Sequence, residues 1–153
     1  MAQANLPVTI RALRADDREV WQRLWTDYLT FYESSVSNDV YDVTFARLLG
    51  NDPQDYTCLL AEVEGRVVGL THYVFHRHNW RIENTVYLQD LYADPDVRGV
   101  GVGRALIEAV YAAADAAGCP SVYWTTQTHN ATAQRLYDRI AVKTDFIKYQ
   151  RPT

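Results

Sequence analysis

A run of alternating glycines between a strand-like and a helix-like segment constrains the fold of this chain most. Gly99, Gly101 and Gly103 lie within DVRGVGVGRAL, residues 96–106. A glycine costs more backbone entropy than an alanine, so the run indicates a tight turn or a close approach of the backbone to another molecule. The first N–H groups of a following helix lack intrahelical partners and lie at the positive end of its dipole. The order strand, glycine turn and helix therefore predicts an anion site, with a plain turn before a surface helix as the alternative.

Two arginines flank these glycines and help to define the anion. Arg98 and Arg104 would donate charge-assisted hydrogen bonds to a phosphate. A nucleotide P-loop would close with Lys and then Ser or Thr, where this chain has Arg104 and Ala105. A dinucleotide motif would need a third glycine at position 104 and an acidic residue at the end of the next strand, SVYWTTQT, and it has neither. The sequence therefore excludes both of these nucleotide sites.

The hydrophobic periodicity predicts one α/β domain spanning residues 1–153. Helical spacing predicts helices within 14–33 (N-cap Asp16 or Asp17), 42–50 (N-cap Asp42), 102–117 and 131–140 (N-cap Asn130). Alternation and turn signals predict strands at 8–13, within 57–78 as a hairpin turning at Glu64–Gly65, at 83–94, at 121–128, and one or two short strands within 142–151.

Charge and cysteine content exclude several classes of protein. The net charge of −4 argues against a nucleic-acid binder that relies on a basic face. Cys58 and Cys119 do not make a disulfide framework, so we expect a reducing cytoplasmic location. We expect neither a signal peptide nor a membrane span, because no apolar stretch reaches the ~20 residues that a span requires.

The glycine run and its context resemble the GNAT superfamily of N-acetyltransferases. The segment from Arg98 to Gly103 fits Q/R-x-x-G-x-G/A, the pyrophosphate-binding signature of that family. The family places this motif after its fourth strand, and a later helix carries an Asn near its start and a Tyr two turns on, as Asn130 and Tyr137 do here. WQRLWTDYLTFYE, YLQDLYADPD and SVYWTTQTHNATAQRLYDRI are similar to the histone and polyamine acetyltransferase branch, and VVGLTHYVF is similar to diamine acetyltransferases.

The resemblance implies an α/β (α+β) GNAT fold, with a mixed, mostly antiparallel sheet of six to seven strands and helices on both faces. It implies acetyl-CoA as co-substrate and no metal. The residues that it implies for coenzyme binding are Leu91, Tyr92, Ala93, Arg98, Gly99, Val100, Gly101, Val102, Gly103, Arg104, Asn130 and Tyr137. A homodimer is also implied, because relatives pair through C-terminal strands and TDFIKYQ supplies an edge.

Acetyl transfer to an amine needs a neutral amine and an acid for the departing thiolate. Bringing a lysine-like amine of pKa ~10.4 to its neutral form at pH 7 costs about 4–5 kcal/mol, so a base should help. A phenol of pKa ~10 can protonate a thiolate whose thiol has a pKa of ~8.5. By resemblance Tyr137 is this catalytic acid, with a core aromatic as the alternative. Asn130 would contact the pantetheine arm, cap its helix, or do both.

The base and the acceptor site are less defined by the sequence. Diamine acetyltransferases carry Glu-Asp in the fourth strand, where this chain has Gln89 and Asp90. Asp90 is a charged residue within an apolar strand, and such residues rarely lack a partner. It is a base acting through water, an anchor for the acceptor, or half of a structural pair with an arginine. Glu33 either holds the acceptor ammonium or is a solvated charge at a helix end; we group Glu33, Gln89 and Asp90 as substrate-binding candidates.

Other titratable side chains offer no competing chemistry. His76 and His78 share one strand face, but two ligands do not make a zinc site, so we expect no metal. Cys119 has no base nearby in the sequence that would activate it. The sequence thus favours direct acetyl transfer to a small-molecule or peptide amine, that is a polyamine, a lysine side chain or an amino acid. A non-catalytic acyl-CoA sensor of the same fold is the alternative.

Overall fold

The computed structural model describes residues 6–97 and 99–153, and their central element is one mixed sheet. Its five strands are β1 (Val8–Ala12), β2 (Thr57–Val63), β3 (Arg66–His76), β4 (Thr85–Ala93) and β5 (Val122–Tyr123), and they follow one another in space in chain order. The pairs from β1 to β4 are antiparallel, and β4 and β5 are parallel. The four α-helices are α1 (Arg18–Phe31), α2 (Asn38–Leu49), α3 (Val102–Ala116) and α4 (Ala131–Ile140).

The two faces of the sheet bury separate apolar clusters. On one face, Trp21 and Trp25 of α1 pack with Phe45 of α2 and with Leu60 and Leu70 of the sheet. On the other face, α3 buries a stripe of apolar side chains against β2, β3 and β4, namely Val102, Leu106, Ile107, Val110 and Ala114. The stripe recurs every three or four residues, which is the helical spacing that the sequence shows.

The sheet has fewer strands than the family resemblance implies. The expectation of six to seven strands is wrong for the part of the chain that the structure describes, which has five. No strand forms within 142–151, where Phe146 and Tyr149 are 87% and 89% exposed. The predicted fifth strand, 121–128, shortens to Val122–Tyr123. A strand needs a neighbour for its backbone groups, and within one chain β5 pairs with β4 at only two positions.

Helix ends follow local capping rules more closely than predicted boundaries. The N-cap of α2 is Ser37, whose hydroxyl accepts a hydrogen bond from the Val40 N–H, so the prediction of Asp42 is wrong by more than a turn. Asp17 occupies the N-cap position of α1, but its carboxylate binds the Arg14 N–H and the Arg11 guanidinium instead. Asn130 caps α4, as predicted.

A bulge in β4 decides which side chains face α1. His72 pairs with Asp90 and Tyr73 pairs with Leu88, so Gln89 is an extra residue with no opposite partner. Simple alternation would place Asp90 on the same face as Leu88, against α3. The extra residue turns Asp90 to the opposite face, where α1 lies.

Helix α3 lies directly on the backbone of β3 at Gly69. A Cβ at this position would lie 2.8 Å from the Tyr92 carbonyl oxygen and 2.8 Å from Cγ1 of Val102. Neither the β4 backbone nor the first turn of α3 can move without disturbing the glycine turn that precedes the helix. The absence of a side chain at Gly69 therefore sets the distance between the sheet and α3.

Replacing Gly69 with alanine tests this contact. We expect Gly69→Ala to lower the free energy of unfolding by about 1–3 kcal/mol, because the added methyl group overpacks a rigid site. Chemical denaturation measures the change. Gly103→Ala is the control, since its Cβ would meet only Cδ2 of Leu136 at 3.4 Å in a helical backbone. Equal stability of the Gly69→Ala protein and the unmodified protein would contradict the close packing.

Candidate active site

The glycine turn has the geometry of an anion site. Gly99 and Gly101 have φ of 87° and 88°, in the left-handed region that favours glycine. Gly101 is the N-cap of α3, and the Ala105 N–H makes the first helical hydrogen bond to its carbonyl, at 2.9 Å. The N–H groups of Val102, Gly103 and Arg104 precede that bond, so they are available to an anion at the positive end of the helix dipole. Gly103 itself is helical.

The structure describes Arg104 but not Arg98, the other arginine that flanks the glycines. Arg98 lies outside the described residues. Arg104 pairs through Nε with Oε1 of Glu108 at 2.8 Å, and both side chains are half exposed. Exposed pairs at this helical spacing contribute only about 0.3–0.5 kcal/mol. Arg104 can therefore exchange Glu108 for a phosphate at little cost.

A gap opens between β4 and β5 just beside this turn. The two strands pair only at Val86 with Val122 and at Tyr87 with Tyr123. The predicted coenzyme segment, Leu91 to Ala93, lies beyond the last pair and is bonded to β3 on its other side. Backbone groups of successive strand residues point to opposite sides, so part of this segment faces the gap. The gap can accept an extended chain with amide groups as an added strand.

A small cavity of about 20 Å³ lies in the gap, and four elements supply its walls. Tyr28 and Tyr32 come from α1, Gln89 from the bulge of β4, Trp124 from the segment after β5 and Tyr137 from α4. The cavity thus brings the predicted acid, Tyr137, next to the predicted substrate residue Gln89. It also adds Tyr28 and Tyr32, which the sequence did not indicate as site residues.

Tyr137 is a half-buried phenol packed edge-on against Trp124, with ring centroids 5.3 Å apart. Burial, and to a smaller extent the neighbouring Tyr32, raises the pKa of Tyr137 to about 12. The hydroxyl therefore remains protonated throughout the range in which enzymes work. It is placed to donate a hydrogen bond into the gap.

Asn130 is occupied by local structure. Its Oδ1 accepts from the Ala133 N–H at 3.4 Å, and its Nδ2 donates to the Thr126 hydroxyl at 3.2 Å. These bonds fix the start of α4 and hence the position of Tyr137 two turns later. The capping role anticipated from the sequence is therefore present.

Asp90 is buried and its partner is a histidine, not the arginine considered from the sequence. Its Oδ2 lies 2.8 Å from Nδ1 of His72, and the two residues are 5% and 3% exposed. On the other side of the ring, Trp21 Nε1 lies 3.0 Å from His72 Nε2. An indole nitrogen can only donate, so Nε2 accepts and the ring proton sits on Nδ1. His72 is therefore a neutral donor that orients the Asp90 carboxylate.

Tyr28 links this buried network to the cavity. Its hydroxyl donates to the Gln89 carbonyl at 3.4 Å. The pKa of Tyr28 is raised, first by burial and then by the charge of Asp90 and a hydrogen bond with it. The sequence indicated neither Tyr28 nor His72 as a site residue. His72 lies beside Asp90 only because of the register between β3 and β4. The polar His72 within an apolar strand was the one available signal.

Glu33 stands at the end of α1 in an unusual conformation. Its φ is 55°, and the Ser34 and Glu33 N–H groups bond back to the carbonyls of Leu29 and Thr30 at 2.9 Å each. This is the helix-ending arrangement in which glycine normally occupies the left-handed position. A carboxylate at the negative end of a helix dipole is also unfavourable. Glu33 is exposed and follows Tyr32, the residue that lines the cavity.

Three further titratable residues, His76, His78 and Cys58, do not line the cavity. His76 Nε2 lies 2.8 Å from the Tyr123 hydroxyl, and His78 lies in the loop after β3. Within residues 6–97 and 99–153, no three histidine, cysteine or acidic side chains are grouped as metal ligands would be. Cys58 is buried and burial raises the pKa of its thiol, so it is a poor nucleophile. No helix in the same residues is long and apolar enough to cross a membrane.

The fold and the gap together define a class of acyl-group-transferring proteins. Residues 18–141 match the Acetyltransferase (GNAT) family. The chain belongs to the GNAT family and is an N-acetyltransferase.

Relatives and solved structures agree with this assignment. The chain is 39% identical to the D-amino-acid N-acetyltransferase HPA3 of Saccharomyces cerevisiae over 148 residues, which cover 96% of this chain and 92% of that protein. It is 31% identical to the thialysine N-epsilon-acetyltransferase of Bos taurus over 58% of this chain and 56% of that one. The fold is that of the aminoglycoside N-acetyltransferase AAC(6')-Iy in complex with CoA, with a TM-score of 0.81 and 18% identity over 99% of this chain and 98% of that chain.

Glu33 generates a prediction about stability. A left-handed backbone costs a non-glycine residue about 1–2 kcal/mol, and the greater freedom of glycine in the unfolded chain offsets about 0.4–1 kcal/mol of this. We therefore expect Glu33→Gly to raise the free energy of unfolding by about 0.5–1 kcal/mol. Denaturant titration measures it. Glu64→Gly is the matched control, because Glu64 has a φ of 52° in the hairpin turn and should gain a similar amount.

The amine KM of these two variants then separates the interpretations of Glu33. An increase confined to Glu33→Gly assigns the carboxylate to the acceptor, whereas no change leaves it as a solvated helix-end charge. Loss of stability in Glu33→Gly would contradict the strain argument.

Proposed function

We propose that this chain transfers the acetyl group of acetyl-CoA directly to the primary amine of a small acceptor. The proposal rests on two features that lie close together in the structure. The gap between β4 and β5 has an anion-binding helix terminus beside it and a cavity lined by a protonated phenol within it. The acceptor is a polyamine, a lysine side chain or an amino acid. Relatives named for D-amino acids and for thialysine favour amino acids and lysine-like amines.

The residues present fit the co-substrate. The left-handed backbone at Gly101 leaves open space where a Cβ would project, and the N–H groups of Val102, Gly103 and Arg104 would hold the pyrophosphate. The backbone of Leu91 to Ala93 would bond the pantetheine amides. Acetyl-CoA, when bound, supplies an acyl group activated as a thioester.

Tyr137 assists departure of the thiolate by donating a hydrogen bond to it. The pKa of Tyr137 is raised to about 12, whereas an exposed thiol has a pKa of ~8.5. Complete transfer of the Tyr137 proton to the thiolate would therefore be uphill by about 5 kcal/mol. Tyr137 therefore stabilises charge as it develops on sulfur. Transfer of the proton becomes more favourable when the same burial raises the pKa of the leaving thiol.

The acceptor side of the gap combines aromatic walls with negative charge. Tyr28 and Tyr32 line the cavity, and the buried Asp90 directly follows Gln89, whose carbonyl accepts a hydrogen bond from Tyr28. An ammonium group is attracted by both features. The non-catalytic sensor that Gln89 left open is disfavoured, because the named relatives are N-acetyltransferases.

We further propose a homodimer formed through the C-terminal segment, residues 142–151. Its apolar side chains are exposed in the single chain, namely Val142, Phe146, Ile147 and Tyr149. The outer edge of β5 offers backbone groups that such a segment from a second copy would pair. Light scattering on the purified protein tests this, and a mass of one chain at micromolar concentration would contradict it.

The test of the function is release of the coenzyme thiol from acetyl-CoA in the presence of candidate acceptors. The panel contains D- and L-amino acids, thialysine, polyamines, lysine peptides and aminoglycosides. Release with one class establishes the transfer and names the acceptor. Failure to bind acetyl-CoA at all would overturn the proposal.

Tyr137→Phe tests the proposed acid. We expect kcat to fall about 10²-fold, which is typical for loss of one proton-donating group, with little change in acetyl-CoA affinity. Because the pKa of Tyr137 is raised to about 12, its ionisation should cause no fall in wild-type activity up to pH 10. Tyr111→Phe is the control: that hydroxyl donates to the Ile140 carbonyl at 2.9 Å and packs beside the same Trp124. Equal rates for Tyr137→Phe and Tyr111→Phe would contradict the role.

Gly101→Ala tests the anion turn. The methyl group meets no protein atom but projects from the left-handed backbone into the space assigned to the pyrophosphate. We expect acetyl-CoA binding, measured by calorimetry, to weaken about tenfold or more, since a hydrogen bond to a charged group contributes about 1.5–3 kcal/mol. Gly118→Ala carries the same strain, with φ of 70° and open space, at the far end of α3. Gly118→Ala should lower stability without weakening acetyl-CoA binding. Equal acetyl-CoA affinities of Gly101→Ala and Gly118→Ala would contradict the assignment of the turn to the pyrophosphate.

A further inference from the structure

We propose that Tyr123 is a specificity-determining residue that binds a second amino group of the acceptor, and that protonation of His76 reverses this preference. The inference rests on the proposed transfer to an amine and deepens it, because it selects acceptors that carry another amino group beyond the reacting one. The subsite lies outside the cavity that is proposed for the reacting amine.

The subsite is at the mouth of the gap, on the face of the sheet that carries α1. Tyr87 and Tyr123 form the last pair before β4 and β5 separate. The residues that follow them, Leu88 and Trp124, line the cavity. Leu88 packs in the apolar cluster with α3, so strand alternation places Tyr87 on the opposite face. Tyr28 of α1 also lines the cavity, so an acceptor can extend from the cavity to the two tyrosine rings.

His76 fixes the direction of the hydrogen bond at Tyr123. Its Nδ1 lies 2.8 Å from the carbonyl oxygen of Arg77, which can only accept, so Nδ1 carries a proton. Its Nε2 lies 2.8 Å from the Tyr123 hydroxyl. In the neutral ring Nε2 has no proton and accepts, so the hydroxyl donates to it. The Tyr123 oxygen therefore offers a ligand lone pairs and no proton.

The two tyrosine rings add an aromatic surface to this oxygen. Tyr87 and Tyr123 are stacked, with ring centroids 5.0 Å apart and 19° between the ring planes. The His76 ring meets Tyr123 edge-on, with centroids 5.8 Å apart. Tyr123 is 44% exposed, so a ligand can reach it. Because a tyrosine face attracts an ammonium group and an accepting oxygen binds its N–H groups, both features favour an amino group over a carboxylate.

A proton on His76 reverses the polarity of this subsite. Because Nδ1 already carries a proton, a further proton from solvent can bind only at Nε2, at the hydrogen bond with Tyr123. Nε2 then donates to the Tyr123 oxygen, and the hydroxyl proton of Tyr123 is released to a ligand. The imidazolium also adds a positive charge, so the subsite then favours a carboxylate. Histidine is the side chain that ordinarily changes charge between pH 5 and 8.

The other ionisable groups described around this pair are phenols and an arginine. They are Tyr87 from β4, Tyr56 before β2, and Arg77 next to His76. Burial, and to a smaller extent Tyr87, raises the pKa of Tyr123. Burial also raises the pKa of Tyr56, and an arginine side chain stays protonated. A change in selectivity between pH 5.5 and 8.5 therefore reports on a histidine.

The test compares three probes of similar length on the protein saturated with CoA, which permits no turnover. Pentylamine has one amino group, cadaverine has a second one at the other end, and 6-aminohexanoate has a carboxylate there. Their charges are constant between pH 5.5 and 8.5, since alkyl ammonium groups ionise near pH ~10.4 and carboxylic acids near ~4.3. NMR titration measures the three dissociation constants.

At pH 8.5 we expect cadaverine to bind about tenfold more tightly than pentylamine, the effect of one hydrogen bond to a charged group at a partly exposed site. At pH 5.5 this preference should fall to about threefold or less, and 6-aminohexanoate should bind more tightly than at pH 8.5. Tyr123→Phe keeps the ring and removes the oxygen, so its preference for cadaverine should be about threefold or less at both pH values. His76→Gln has an amide that can bond to Tyr123 but does not titrate, so its selectivity should not change with pH.

Two matched variants serve as controls. Tyr41→Phe removes a phenol hydroxyl that bonds to a neutral partner, Thr26, at 2.6 Å. His78→Gln removes a histidine two residues from His76, whose Nδ1 accepts from the Trp80 N–H at 3.1 Å. Both should keep the selectivity of the unmodified protein and its pH dependence. Calorimetric binding of CoA shows that each variant is folded.

The outcomes separate the subsite from the function. A wild-type preference for cadaverine of no more than twofold at pH 8.5, which its two equivalent ends explain, overturns the subsite, as does an unchanged preference in Tyr123→Phe. Selectivity that does not vary with pH in the wild type, or varies equally in His76→Gln, overturns the reversal by His76. Absence of CoA binding, or of acetyl transfer to any amine, overturns the proposed function instead.

Discussion

The separation of β4 from β5 is the feature on which the rest of the site depends. Two parallel strands that pair at only two positions leave an opening between them, to which water or a ligand can hydrogen bond. Helix α3 follows β4 through the glycine turn, so its positive end lies beside the same gap. Helix α4, capped by Asn130, brings Tyr137 to the opposite wall. The opening therefore brings together a helix N-terminus, a strand edge and a phenol from elements that are distant in sequence.

The bulge at Gln89 gives this opening its chemistry. By adding one residue to β4 it turns Asp90 away from α3 and toward α1, into contact with His72. A buried carboxylate held by a neutral donor is costly compared with an apolar residue of the same size. Departures from regular strand alternation and from an apolar core are most often found where function requires them. Glu33, at the end of α1, is another departure, because it has a positive φ that favours glycine.

The local geometry of the glycine turn and of the start of α4 could be predicted, because it depends on residue types nearby in sequence. Gly99 and Gly101 are needed at positive φ, and that requirement is visible in the residue types. The N-cap of α4 and the spacing from Asn130 to Tyr137 are also local. The C-terminal strands were predicted wrongly, because a strand forms only beside a neighbour and the single chain offers Phe146 none. The cap at Asp42 was wrong because Ser37, more than a turn earlier, takes that role.

The sequence by itself determined most of the helices and strands and the glycine turn, since these follow from periodicity and from glycine's access to left-handed backbone. Only the tertiary structure decided how Asp90 is used. Simple alternation along β4 points it to the wrong face, and neither the bulge nor the register with β3 can be inferred from residue types. The hydrogen bond from Trp21 to His72, which holds the partner of Asp90, joins a helix and a strand 51 residues apart. Such contacts depend on how α1 packs across the sheet, which the order of residues in either element does not encode.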